Sequence, residues 1–373
     1  MRILLTTDTV GGVWDHCVTL ARELDAAGHE VLLAVVGEPR DERLARIPAG
    51  VQVVWRAYRL EWMRDAADDV REAGEWLKGL AAVWEADVVH LNQMAYAAAG
   101  FHAPVLAAVH SDVLSWWREI HASDAPADDW AEYARWVREG LAAADAVITP
   151  TRRQSELLWR HYGLRPTRVI YNGIETAGDA PAERTEEMVI LTVGRLWDRG
   201  KGADVLDEAA ALLGPDFPPI HALGETVAPH GETFAAKNLI VHGRVERAEV
   251  DGWMRRGSIY VGPSRYEPFG LAPLEAALAG CALVLSDIPT FRELWDGCAE
   301  FFAPGDPAAL ADALVRVAND PPRRARMAEG ARKRALRRYT SDRMAEEYLA
   351  LYRQLAARHR RRAALPTLAA ASR

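Results

Sequence analysis

The sequence is short of cysteine, has no long apolar run and carries no surplus of positive charge, and each absence removes a class of protein. Its three cysteines, Cys17, Cys281 and Cys298, lie far apart with no CxxC pair, so neither a disulfide framework nor a zinc knuckle holds the fold. No stretch approaches the roughly 18 to 20 consecutive apolar residues that span a bilayer. Asp8 interrupts the opening MRILLTT before the apolar region of a signal peptide develops, so the expected compartment is the cytosol. With 45 Lys+Arg against 53 Asp+Glu the formal charge is -8, which argues against a nucleic-acid partner, since a dedicated binder needs a net basic surface. The GxGxxG fingerprint of a dinucleotide fold is missing, which disfavours a nicotinamide oxidoreductase. No convincing Asp-x-Asp metal motif occupies a loop after a candidate strand.

What is present is 373 residues, half of them apolar and 26% charged, enough for about two domains at roughly 100 to 200 residues each. Short apolar runs alternate with helix-length segments, the pattern of α/β units on parallel sheets covered on both faces. In the first series strands are expected at residues 2–7, 31–36, 51–55, 87–91, 104–109, 146–149 and 168–171. After Val13 the apolar positions Cys17, Leu20, Ala21 and Leu24 recur at helical spacing, and Gly28 supplies the stop. The polar segment ETAGDAPAERTEE, residues 175–187, reads as a linker and a hinge. A second series follows at 188–193, 220–223, 239–241, 259–261 and 282–285, and from Asp306 to Arg362 the chain is helix-forming and rich in Ala and Arg. The expected organisation is an N-terminal domain 1–174, the linker 175–187, a C-terminal domain 188–340, a last helix 341–362 and a disordered tail 363–373.

In open parallel sheets ligands bind beyond the carboxyl ends of the strands, and three such loops stand out. Asp8-Thr9-Val10-Gly11-Gly12 joins the first strand to the first helix, where glycines admit a ligand to the backbone and free N–H groups suit an anion; an ordinary tight turn explains the glycines equally well. Val193-Gly194-Arg195-Leu196-Trp197-Asp198-Arg199-Gly200-Lys201-Gly202 places cations where they can neutralise a diphosphate, or forms a solvated basic turn. Ser264 to Ala276, SRYEPFGLAPLEA, sets Glu267 in a loop and Glu275 eight positions on, in the following helix. If that helix starts near Leu271, its amides lie between two carboxylates and can receive a phosphate. Spacing alone favours two unrelated acids.

Four elements taken together, the E-x7-E element EPFGLAPLE, GRLWDRGKG, YNGIE before the linker and the opening GGVWDHCVTLARELDAAGHEV, resemble glycosyltransferase family 4, the retaining GT-B enzymes, in order from residue 1 to about residue 355. The resemblance implies two Rossmann-like doubly wound domains facing a central cleft, with a C-terminal helix crossing back to the first domain. It implies transfer of a hexosyl unit from a nucleotide diphosphate sugar, a UDP-sugar ahead of a GDP-sugar, to a hydroxyl acceptor, with no cofactor and no metal.

On that resemblance Glu267 contacts the donor sugar and Glu275 the ribose. Arg195 and Lys201 bind the diphosphate, backbone amides of Phe269, Gly270 and Leu271 assist, Gly11 and Gly12 approach the sugar and phosphate, and Gly243, Arg244 and Val245 lie beside the base. The family pattern has one fewer residue between its arginine and lysine than GRLWDRGKG, which leaves Arg199 a rival to Lys201. His110, in Val109-His110-Ser111-Asp112, matches the cleft histidine. Glu267 and Glu275 are not the closely spaced carboxylate pair of a retaining glycosidase; the leaving phosphate itself is expected to accept the acceptor's proton.

For the acceptor the signals are Trp116 and Trp117, among thirteen tryptophans, with Asp112 and His16, and with Asp15 as a weaker candidate. Indoles stack on sugar faces and apolar aglycones, and core packing explains tryptophans as well. The basic run Arg323, Arg324, Arg326, Arg332, Lys333, Arg334, Arg337 and Arg338, continued by Arg358 to Arg362, is either a solvated helix face or a peripheral membrane contact for a lipid-linked acceptor. The alternatives to a transferase are a nucleotide-sugar epimerase of the same architecture and an inactive sugar-nucleotide-binding scaffold.

Overall fold

The computed structural model describes residues 1–176, 187–228 and 231–364. Seven parallel strands form the first sheet: β1 (Arg2–Asp8), β2 (Glu30–Val36), β3 (Gln52–Arg56), β4 (Val88–Leu91), β5 (Val105–Ala108), β6 (Ala146–Thr149) and β7 (Arg168–Val169), in the order β3-β2-β1-β4-β5-β6-β7. Six parallel strands form the second: β8 (Ile190–Val193), β9 (Ile220–Leu223), β10 (Ile240–Gly243), β11 (Ile259–Gly262), β12 (Ala282–Ser286) and β13 (Ala299–Phe302), in the order β10-β9-β8-β11-β12-β13. Both orders reverse direction once, between β1 and β4 and between β8 and β11. The crevices that bind ligands in such sheets open at these two points.

The strands read as apolar runs because both faces are covered. In β1, Ile3 and Leu5 pack with Trp14, Cys17 and Leu20 of the helix Val13–Ala26, while Leu4 faces Val70, Ala73 and Leu77 of the helix Ala67–Val83. All twelve strands expected from periodicity are present, and β13 is the addition. Its AEFF sequence alternates weakly and gained no strand expectation, yet it completes the edge by pairing with β12.

The last helix, Ser341–Ala364, crosses back as expected and continues two residues beyond the predicted end; residues 365–373 of the predicted tail lie outside the described residues. Its Met344, Tyr348, Tyr352 and Leu355 complete the first domain's core beside Trp14 and Cys17. The chain therefore passes between domains twice, at Ile174 and at Thr340, and the two passages pair as a parallel bridge. Gly173 is required there, because a β-carbon on it would stand 2.1 Å from the Thr340 carbonyl oxygen. Residues 177–186 of the predicted linker lie outside the described residues.

Much of the basic run is tied to the protein itself. Arg323 and Arg316 share Glu300, Arg324 donates to the carbonyls of Val317 and Ala318, and Arg332 and Arg334 donate to the carbonyls of Leu278 and of Leu294 and Asp296. Arg326, Arg337, Arg358, Arg360 and Arg361 are exposed. Among the described residues no helix is long and apolar enough to cross a membrane.

Candidate active site

The loop after β8 folds around one carboxylate. Asp198 is buried, and its Oδ1 accepts from the Gly200 amide at 2.9 Å, which shapes the tight turn Arg199–Lys201. Its Oδ2 accepts from Arg195 Nη2 at 2.8 Å and holds that guanidinium toward the cleft. The turn settles which cation faces inward. Lys201 lines the cleft with Nζ 2.5 Å from Glu267 Oε2, whereas Arg199 is exposed and stands off the wall.

The loop after β11 leads into the helix Leu271–Leu278 through Gly270, whose φ of 92° is the left-handed conformation that glycine adopts without strain. No side chain caps this helix, so its first amides remain free for an anion. Phe269 is buried against Tyr339 at 5.7 Å between ring centres and anchors the loop. The amides of Arg265 and Tyr266 donate to the Gly200 carbonyl at 2.8 and 3.2 Å, which ties the two loops together. Glu275 accepts from Arg247 Nη1 at 2.5 Å through Oε1. Burial pushes its pKa up, against the pull of Arg247. Arg244 and Val245 line the same side, while Gly243 closes β10 behind them.

The opposite wall comes from the first domain. Gly11 and Gly12 lie close across the gap: β-carbons built on them would stand 3.5 Å from Arg195 Nη1 and 3.3 Å from Leu271 Cδ1. Asp8, at the end of β1, accepts from the Val10 amide at 2.7 Å and from Gln93 at 3.2 Å, and burial pushes its pKa up to about 6. Glu61 is also buried on this wall, accepts from the Met94 and Ala95 amides, and is raised to about 7 by burial.

His110 faces the cleft with Nε2 2.7 Å from Asn92 Oδ1. Asn92 donates its amide nitrogen to the Thr6 carbonyl at 2.6 Å, which leaves its oxygen toward the ring, so His110 Nε2 carries the proton and Nδ1 is an acceptor. Burial lowers its pKa to about 4, so the ring is neutral near pH 7.

The expected acceptor residues divide. Trp116 lines the cleft, but its Nε1 donates across to Asp198 Oδ1 at 3.3 Å, which makes it a bridge between domains rather than an open stacking face. Trp117 packs on His121 at 4.3 Å behind it. The Asp112 carboxylate caps the helix Val113–His121 and takes Ser115, Gln154 and Tyr162 as partners. His16 is buried one layer back, its ring 4.4 Å from His110 and both nitrogens without partners, while Asp15 reaches the wall. Other contacts close the two walls together, among them Thr151 Oγ1 to the Pro268 carbonyl at 2.9 Å and Tyr266 Oη to Ser111 and Gln154.

The cleft between these walls has a volume of about 1510 Å³, room for a nucleotide sugar together with a second substrate. Asp198, Arg247, Asp8 and Glu61 were not among the sequence candidates. Asp198 stands three residues after Arg195, a spacing readable as an ion pair once the turn is known. Arg247 and Glu61 have no local signal and reach the site only through folding.

Comparison with known proteins agrees with this geometry. Residues 10–177 match the description Glycosyltransferase Family 4, and residues 187–320 match Glycosyl transferases group 1. The chain is 31% identical over 306 residues to the D-inositol 3-phosphate glycosyltransferase of Xylanimonas cellulosilytica, covering 72% of each chain. It is 29% identical over 392 residues to a glycogen synthase of Mycobacterium tuberculosis, covering 90% of each. Sucrose-phosphate synthase from Thermosynechococcus elongatus superposes with a TM-score of 0.78 at 20% identity, over 96% of this chain and all of that one. Anabaena HepE in complex with UDP-glucose superposes with a TM-score of 0.72 at 17% identity, over 95% and 100%. The chain belongs to glycosyltransferase family 4 and is a glycosyltransferase of GT-B architecture.

Proposed function

We propose that the chain transfers a hexosyl unit from a nucleotide diphosphate sugar, a UDP-sugar by preference, to an acceptor hydroxyl with retention of anomeric configuration and without a metal. The observation that carries this reading is the Lys201–Glu267 pair, set beside Arg195 and the uncapped amides of Leu271–Leu278. Two fixed cations and a helix N-terminus match the two phosphates of the donor, and they stand where charge grows as the leaving group departs. That HepE was solved with UDP-glucose supports uracil as the base.

Lys201 and Glu267 neutralise each other across the loop. An arriving diphosphate draws Lys201 away and frees the carboxylate for the sugar hydroxyls. Glu275 keeps one oxygen on Arg247 and offers the other to the ribose. His110 Nδ1 accepts from a sugar hydroxyl. The acceptor oxygen then bonds to the anomeric carbon on the face the diphosphate leaves, and its proton passes to the departing phosphate oxygen. The contacts from Trp116 to Asp198 and from Thr151 to Pro268 hold the walls together and limit water.

The test is a melting-temperature panel of UDP, GDP, ADP and their glucose and mannose conjugates, each with and without EDTA, since a ligand that binds only the folded state raises Tm. A rise with the uridine compounds that survives EDTA is expected. A response to guanosine alone overturns the donor, and one abolished by EDTA overturns metal independence.

A further inference from the structure

Glu267 stands between two residues that the first domain holds. On one side Tyr266 is buried, and its hydroxyl crosses the cleft to donate to Gln154 Oε1 at 3.2 Å and to stand 3.1 Å from Ser111 Oγ. Burial pushes the phenol well above its usual range, so it keeps its proton. With that one proton given to Gln154, Ser111 is the donor to Tyr266. Gln154 is itself fixed, because its Nε2 donates to Asp112 Oδ2 at 2.9 Å. On the other side Pro268 offers its carbonyl to Thr151 Oγ1 at 2.9 Å.

Thr151 and Gln154 belong to one turn. Thr151 caps the helix Arg152–Tyr162 by accepting from the Gln154 amide at 3.1 Å. The amides of Arg152 and Arg153, at the start of that helix, donate to the two carboxylate oxygens of Glu293 in the second domain at 2.8 and 3.0 Å. Tyr171 Oη adds a bond to the same carboxylate at 3.1 Å. A single turn of the first domain thus grips the second at Tyr266, Pro268 and Glu293. Between the first two grips Glu267 has little backbone freedom left, since a residue before proline is confined to extended conformations.

We propose that Tyr266 and Thr151 are positioning residues for the donor: they fix the Glu267 carboxylate from the opposite domain, so the wall that carries His110 and Ser111 sets recognition of the transferred sugar. This rests on the glycosyltransferase reading, in which Glu267 meets the sugar hydroxyls. A carboxylate already held in its binding geometry gives up little freedom when the ligand arrives. In the same reading the nucleoside diphosphate half of the donor meets Arg195, Lys201, the Leu271 amide and Glu275. Loosening Glu267 therefore weakens the hold on the sugar and spares the nucleotide.

Three substitutions separate this role from packing. Tyr266→Phe keeps the ring and removes its hydroxyl, Thr151→Val removes the bond to Pro268 together with the helix cap, and Thr151→Ser retains both. The first arm needs no donor and follows amide exchange in the full chain by mass spectrometry. Residues 264–276 are expected to exchange faster in Tyr266→Phe and Thr151→Val and at the wild-type rate in Thr151→Ser, with β1 unchanged in all three. Unchanged exchange over 264–276, or equal acceleration throughout the chain, overturns the proposal. The second arm is calorimetric titration with UDP and UDP-glucose, or with the base and sugar to which wild type responds. The ratio of the sugar nucleotide's Kd to that of the nucleoside diphosphate is expected to rise roughly 3- to 10-fold in Tyr266→Phe and Thr151→Val, the scale of one lost hydrogen bond. Binding of the nucleoside diphosphate itself should not change, and Thr151→Ser should restore the ratio. An unchanged ratio, or equal losses for both ligands, overturns the proposal. If wild type binds no sugar nucleotide and releases no nucleoside diphosphate, the transferase reading fails and takes the sugar with it, while faster exchange confined to 264–276 shows the grip on Glu267 still standing.

Discussion

Lys201 Nζ lies 2.5 Å from Glu267 Oε2, so the cation proposed for the diphosphate and the carboxylate proposed for the sugar are each other's partner. Removing either leaves the other uncompensated in a partly buried wall. Lys201→Gln is expected to lower kcat by about 10²- to 10³-fold, the scale of one lost contact to developing charge. Adding Glu267→Gln should cost less than the product of the single losses, because the residues touch. Strictly multiplicative losses in steady-state kinetics would show that the pair does not act as a unit.

Asp198 joins two tasks through its two oxygens: it orients Arg195 and receives Trp116 from the opposite domain. Asp198→Asn should lower kcat/KM by roughly 10- to 100-fold, as expected for a charge-assisted bond. Trp116→Phe keeps the ring and loses only the cross-cleft bond, so a decline of about fivefold is expected, with a larger share of donor lost to water. Comparing transfer with hydrolysis in the two variants checks this, and equal effects on both reactions in Trp116→Phe would remove Trp116 from closure.

His90 is buried with Nδ1 2.6 Å from Tyr352 Oη, stacks on Tyr348 at 5.0 Å, and burial lowers its pKa to about 3. In the unfolded chain it titrates near 6.5, so between these values the unfolded state holds a proton that the native state lacks. Native stability therefore falls as pH falls through that window, by about 1.4 kcal/mol per pH unit for this group. Asp8 and Glu61, raised to about 6 and about 7, act in the opposite sense in wild type and variant alike. The difference in urea stability between wild type and His90→Asn should shrink steadily from pH 6.5 to 4.5, and a constant difference refutes the buried neutral ring.

Gly173 sits where the two interdomain passages meet, and a β-carbon on it would run into the Thr340 carbonyl. Gly173→Ala forces that carbonyl aside and should destabilise the fold by about 1–3 kcal/mol, the usual cost of overpacking. Because the displaced passage carries the turn into the last helix, KM for the donor should rise too. A variant with unchanged Tm and KM shows that the passage yields freely.

The order of strands and helices was legible in the sequence because it rests on local patterns. RILLTT is apolar on both faces and helix-length segments separate such runs, so twelve strands could be placed before any contact was known. The cleft motifs were legible for the same reason, since Gly270 and Glu275 share a short stretch with Glu267. What local pattern could not carry is the meeting of distant residues. Lys201 and Glu267 are 66 positions apart, and Arg247 and Glu275 are 28 apart. Only the tertiary structure put Lys201 rather than Arg199 on the cleft wall, because a 3₁₀ turn capped by Asp198 turns one inward and the other out. It also buried His16, turned Trp116 into a bridge and tied both neighbours of Glu267 to the first domain. Each of these depends on where two domains, joined by two adjacent passages of chain, bring their walls together, and no spacing along the sequence records that.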